Sequence, residues 1–173
     1  MLLLAAVAGP APQSLDILDL GCGTGLCGAL FAPWARRLDG IDLSAAMVRI
    51  AKTRGVYADL RQSDLVSAMR AAAGRYDLIL AGDVFIYVGD LEETFAAAYG
   101  AVRPGGLFAF TAERAEGSGF VLHPTLRFAH SRGYLEETAQ RQGWRCVYCE
   151  EKPLRDESKS QVPAYVMVLK KVG

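Results

Sequence analysis

The sequence predicts an α/β domain, a mostly parallel sheet covered by helices on both faces. Three observations predict it. Strand-like apolar runs alternate with helical patterns through most of the 173 residues. Runs such as "YDLILA" are almost continuously apolar, as strands buried on both faces are. Only the last two strand-like runs are joined by a polar linker too short for a crossover helix, so that pair alone must be antiparallel.

The elements follow in order. "MLLLAAVAGPA" is apolar like the core of a signal peptide, but no basic residue precedes it and a core strand follows at once. It reads as a helix that packs on the sheet ahead of the first strand. "DILDL" is that strand, and a glycine-rich loop with a short helix from about Gly25 follows it. "RRLDGIDL" is the second strand, after which Ser44 caps the helix "SAAMVRIAKTR", ended by Gly55. "DLRQSDL" holds a short third strand and leads into a helix reaching about Ala73, where Gly74 breaks the pattern. "YDLILAGDV" is the fourth strand. "DLEETFAAAYGAV" is a helix with Asp90 as its expected cap, and "RPGG" turns tightly into the fifth strand, "LFAFTAE". "EGSGFVLHPTLRFAHS" has no period and reads as a long loop above the carboxyl ends of the strands, where ligands bind in such sheets. "RGYLEETAQRQGW" is a helix, and "WRCVYCEEKPLR" and "PAYVMVLKKV" are the closing hairpin, linked through "DESKSQV". No internal repeat or domain boundary interrupts this series, so residues 1–173 read as one domain.

Composition narrows the function. With 51% hydrophobic and 22% charged residues the chain is an ordinary globular protein, and no apolar run is long enough to cross a membrane. Lys+Arg and Asp+Glu both number 19, which gives no electrostatic reason to expect a nucleic-acid or membrane partner. Cys146 and Cys149 stand in a C-x-x-C spacing, but on a regular strand positions three apart face opposite sides, and no second pair exists. The expectation is no metal, and four reduced cysteines of a cytoplasmic protein.

The glycines of "ILDLGCGTGLCG" mark a loop that meets a ligand closely. Gly23-x-Gly25-x-x-Gly28 fits the dinucleotide fingerprint of NAD proteins, whereas Gly21-x-Gly23-x-Gly25 preceded by Asp19 fits an S-adenosylmethionine loop. Asp42, at the end of the second strand, suits the ribose of either. Asp64, at the end of the third, suits an adenine amino group. Asp19 favours the second ligand, because an acid there meets the cationic amino-acid end of S-adenosylmethionine and repels a pyrophosphate. The closing hairpin favours it too.

Taken together, "ILDLGCGTG", "GIDLS", "QSDL", "YDLILAGDVFIYV" and "AVRPGGLFAF" resemble the successive motifs of class I S-adenosylmethionine-dependent methyltransferases, over about Asp16 to Lys171. More narrowly, "GVYADLRQSDL" and "RFAHSRGYLEETAQRQGW" resemble the methyltransferases whose longer members carry tetratricopeptide repeats; this chain has no such repeat. The resemblance implies a Rossmann-like, doubly wound sheet of seven strands, order 3-2-1-4-5-7-6, with strand 7 antiparallel. It implies S-adenosyl-L-methionine as the cofactor. Asp19, Gly21, Cys22, Gly23 and Gly25 then hold its methionine end. Asp42 takes the ribose with Leu43 beside the adenine, Asp64 and Leu65 hold the adenine, and Gly82 and Asp83 face donor and acceptor. Met47 is expected to pack its helix instead. Relatives carry an N-terminal segment over the donor. Here about fifteen residues precede the first strand, so either the chain is a fragment or its site is open.

Methyl transfer from a sulfonium requires alignment, exclusion of water and, for some acceptors, a base. The candidate catalytic residues are His130, Tyr134 and Asp83, with His123 a weaker candidate. Arg127 is a candidate for an acidic acceptor. The loop from Glu113 to Ser131 is expected to be mobile and to carry the acceptor pocket through Arg127, His130 and Tyr134, with Tyr87 beneath it. Enzymes acting on base amino groups or glutamine amides carry Pro-Pro-aromatic after the fourth strand. Gly82-Asp83-Val84-Phe85 does not, which points to a small-molecule acceptor. The competing readings are a donor-binding regulatory or partner domain without turnover, and an NAD(P)-binding oxidoreductase. The oligomeric state is not legible.

Overall fold

The computed structural model describes residues 11–157 and 160–173. The helix expected in the opening apolar run lies outside them. β1 (Leu15–Leu20), β2 (Ala35–Asp42), β3 (Asp59–Gln62), β4 (Tyr76–Ala81) and β5 (Val102–Glu113) run parallel; β9 (Ser160–Lys171) pairs antiparallel with β5, and β8 (Trp144–Glu157) pairs antiparallel with β9. The seven-stranded order is β3-β2-β1-β4-β5-β9-β8. It departs from the expected 3-2-1-4-5-7-6 because two short strands, β6 (Phe120–Leu122) and β7 (Phe128–His130), intervene in the chain. They form a separate antiparallel pair where the sequence reads as an unstructured loop.

The helices are α1 (Leu26–Phe31), α2 (Ala45–Lys52), α3 (Leu65–Arg70), α4 (Glu92–Ala101) and α5 (Arg132–Arg141). On one face of the sheet, α3, α4 and α5 bury Met69, Phe95 and Leu135 against Ile79, Phe108 and Met167. On the other, Phe31 of α1 packs with Ile17, Leu78 and Val168. Ser44 caps α2 as expected, accepting from the Met47 amide. Asp90 is displaced by one residue from its expected place: Leu91 is the N-cap of α4, and Asp90 accepts from the Glu92 amide. "RPGG" lies inside β5 at a register shift instead of forming a separate turn. Most of the expected linker of the closing hairpin is strand, pairing as far as Glu157 with Ser160.

The cysteine pair needs a correction. A bulge between Cys146 and Tyr148 inserts an extra residue, so Cys146 lies opposite Leu169 and Cys149 opposite Met167. Those partners are two apart on β9, hence both cysteines share one face of the sheet. Among the described residues no group of three His, Cys, Asp or Glu is arranged to hold a metal ion.

Candidate functional site

Parallel strands deliver their carboxyl ends to one edge, and the functional residues gather there. β1 runs into Gly21 (φ +57°), Gly23 (+54°) and Gly25 (+79°), all in the left-handed region that L side chains rarely adopt. At Gly21 a Cβ would also stand 2.8 Å from Val84 Cγ2. The loop is tied down from β2. The Cys22 amide donates to the Ile41 carbonyl (2.8 Å), and the Gly23 amide donates to Asp42 Oδ2 (2.9 Å).

Gly25, Gly28 and Gly40 serve another purpose. A Cβ at each would collide with Tyr57, whose ring fills the space between α1 and β2. The third glycine of the dinucleotide fingerprint is therefore present to admit a tyrosine. Tyr57 donates its hydroxyl to Asp19 Oδ2 (2.7 Å), beneath the loop. Asp19 is 1% exposed and lines no part of the cleft. Its carboxyl is engaged by the Tyr57 hydroxyl and the Gly28 amide. Burial, opposed by these two hydrogen bonds, raises its pKa to about 6. Gly28→Ala is expected to cost about 1–3 kcal/mol of stability by overpacking against Tyr57, readable as a lowered melting temperature.

The cleft has two lobes, of about 350 and 490 Å³, that share Gly21, Asp42, Asp83 and Tyr87. Leu43, Asp64, Leu65 and Val84 line the first. Cys22, Gly23, Gly82 and Met47 line the second. Of the candidate donor and acceptor residues named from the sequence, Asp19, Gly25, His123, Arg127, His130 and Tyr134 stand outside this lining. Met47, expected only to pack its helix, belongs to it, as do Ser63, Val84 and Val88, which sequence reasoning missed. Their signal was adjacency to a motif, which alone does not tell which neighbours face the ligand.

Backbone amides orient the carboxylates of Asp42 and Asp64 at the rim. Asp42 accepts from the Gly23 amide at one oxygen and from the Ser44 amide at the other (2.8 Å). Every carboxylate oxygen has a second lone pair, so Asp42 retains acceptor capacity toward the cleft. Asp64 is the N-cap of α3, and the Ser67 amide (2.9 Å) holds its carboxyl below the usual range. Asp83 sits at φ +59°, unusual for a non-glycine residue, and its amide donates to Thr111 Oγ1 (2.9 Å). Asp42, Asp64 and Asp83 thus line a cleft in which, among the described residues, no Lys, Arg or His takes part.

His130 is fully buried. Its Nε2 lies 2.9 Å from the Gly89 carbonyl, to which it donates, and its ring stacks on Tyr134. Burial lowers its pKa. The Tyr134 hydroxyl accepts from the Leu91 amide (2.7 Å) and donates to Asp90 Oδ1 (3.1 Å). Neither side chain reaches the cleft, because the β6–β7 pair turns His130 inward. The His123 amide donates to the Arg127 carbonyl (2.9 Å), so these two residues close the hairpin.

The sequence of residues 17–106 matches the family described as "Methyltransferase domain". The chain belongs to this family. It is 37% identical to the ubiquinone biosynthesis O-methyltransferase of Methylobacterium sp. (strain 4-46) over 58% of this chain and 42% of that one. It is 32% identical to the trans-aconitate 2-methyltransferase of Paracidovorax citrulli over 83% of this chain and 51% of that one. The chain therefore spans about half, or less, of the length of these curated relatives. Among solved structures the [4+2]-cyclase SpnF shares the fold, with a TM-score of 0.81 at 18% identity over 98% of this chain and 80% of that one. No helix of the described residues is long and apolar enough to cross a membrane.

Proposed function

We propose that this methyltransferase-family domain binds S-adenosyl-L-methionine and transfers its methyl group to a small acceptor that carries no carboxylate near the reacting atom. The observation that carries this reading is the cleft's lining: three carboxylates and, among the described residues, no cation. Such a cleft attracts a sulfonium with its ammonium group and repels a pyrophosphate. The geometry also fits the donor's parts. Asp42, at the end of β2, accepts from the ribose hydroxyls. Leu43 and Leu65 flank the adenine, with Asp64 at its edge. Gly23 leaves open space above its backbone, since a Cβ there would meet nothing nearer than the Gly21 carbonyl at 4.0 Å. That opening suits the amino-acid end.

Bound S-adenosylmethionine supplies a methyl group already activated on sulfur. What remains for the protein is alignment of acceptor, methyl and sulfur, and exclusion of water. Asp83 lies at the junction of the two lobes, beside Asp42 and Tyr87, and is proposed as the base for an acceptor hydroxyl. Among the described residues this lining offers no cation to a carboxylate acceptor, and such an acceptor is not proposed. Kinship with the tetratricopeptide-bearing methyltransferases is proposed on the two stretches around Tyr57 and Tyr134.

The fold alone does not decide the reaction, since a cyclase shares it. The test is calorimetry with S-adenosylhomocysteine and NADH, followed by a metabolite screen with methyl-labelled donor. Binding of S-adenosylhomocysteine and not NADH is expected, with label transferred to an uncharged hydroxyl compound. Tighter NADH binding overturns the donor assignment. Donor binding without transfer to any compound returns the domain to a regulatory role, and transfer to polycarboxylates overturns the acceptor class.

A further inference from the structure

We propose that His130 and Tyr134 are positioning residues that set donor affinity through Tyr87 without touching the donor. The proposal rests on the donor-binding reading above. The segment between β4 and α4 carries the cleft's outer wall. Phe85, Ile86 and Leu91 are buried, whereas Tyr87 is 72% exposed and lines both lobes, and Val88 lines one. Tyr87 thus projects from a short turn whose ends are fixed in the core.

Behind that turn, three consecutive residues are fastened to the chain that follows β6. The Gly89 carbonyl accepts from His130 Nε2 at 2.9 Å. Asp90 Oδ1 accepts from the Tyr134 hydroxyl at 3.1 Å, and the Leu91 amide donates to that hydroxyl at 2.7 Å. Gly89 has no room for a side chain, because a Cβ would stand 2.6 Å from Phe128 and 2.8 Å from Phe120. The β6–β7 hairpin therefore presses directly on the segment's backbone. The two fastening side chains support each other. Their rings stack with centroids 5.8 Å apart, and Phe120 packs edge-on against Tyr134 at 5.4 Å. His130 is fully buried and its Nδ1 has no partner, so packing and the bond to the Gly89 carbonyl hold its ring in place.

A chain segment held at three successive residues loses little entropy when Tyr87 closes on a ligand. Freed from the clamp, the same segment must be ordered at the moment of binding. The clamp should therefore appear as energetic coupling between His130 and Tyr87, residues that act on the donor through one backbone turn.

The experiment is a double-mutant cycle read by calorimetry with S-adenosylhomocysteine. His130→Ala and Tyr87→Ala are each expected to weaken binding about five- to tenfold, and the double variant to bind no more weakly than Tyr87→Ala alone. His130→Gln, whose amide donates to the Gly89 carbonyl, restores most of the affinity. Full additivity of the two single variants, or unchanged affinity in His130→Ala, overturns the proposal. Tyr134→Phe keeps the ring and removes the hydroxyl, and it takes the place of His130→Ala in the cycle if the latter does not fold. Hydrogen exchange reads the clamp without any ligand. Amides of Tyr87 to Leu91 should exchange faster in Tyr134→Phe while those of β1 and β4 are unchanged, and equal exchange in both proteins sinks the clamp. Failure of the wild type to bind S-adenosylhomocysteine overturns the donor reading and leaves the exchange measurement to judge the clamp.

Discussion

Asp42→Ala is expected to weaken S-adenosylhomocysteine binding by about two orders of magnitude, equivalent to about 3 kcal/mol. The carboxylate acts twice. It orients the glycine loop by accepting from the Gly23 amide at 2.9 Å, and it starts α2 correctly by accepting from the Ser44 amide at 2.8 Å. It also lines both lobes of the cleft, where the proposed donor pose places the ribose. Hydrogen bonds to a charged group are worth about 1.5–3 kcal/mol each, and alanine removes the ligand's bonds together with the loop's tether. Asp42→Asn keeps one carbonyl oxygen and should fall between wild type and alanine. Calorimetry on folded protein, with the melting temperature as control, decides it; an alanine variant of wild-type affinity removes Asp42 from the donor site.

The second large effect concerns stability and pH. Asp19 titrates near 6 in the folded protein, against an ordinary value of 3.8. Between these values the folded state binds a proton that the unfolded state has released. Stability therefore falls as pH rises from about 4 to about 6, by an amount on the order of 3 kcal/mol, and is flat above. Asp19→Asn has no such proton and should lose this slope while its amide oxygen still accepts from Tyr57. Denaturant melts of both proteins at several pH values between 4 and 7 measure the difference. Asp16, whose carboxyl is lowered by its bond to Arg36, contributes the opposite slope at lower pH and is common to both. Parallel stability curves for wild type and Asp19→Asn would mean that Asp19 is ionised throughout and the assignment is wrong.

What could be read from the sequence was whatever depends on neighbours along the chain. Alternating apolar strands and helices dictate a parallel sheet, and a parallel sheet brings all its carboxyl ends to one edge. Asp42, Asp64 and Asp83 had to meet there once their strands were recognised, because each follows its strand's last apolar residues. Gly21, Gly23 and Gly25 were legible for the same local reason, since only glycine adopts that backbone easily. The tertiary structure decided everything that depends on what crosses from elsewhere. Asp19 is buried because Tyr57, 38 residues away, enters the space that three glycines leave. His130 is buried with its ring against the Gly89 carbonyl because β7 pairs with β6, a pairing that no local pattern in this stretch announces. Cys146 and Cys149 share a face because one bulge reverses the alternation of β8. Periodicity states which residues share a side of an element. Which side meets solvent, ligand or core is set by long-range packing, where a single added residue or a single inserted ring reverses the outcome.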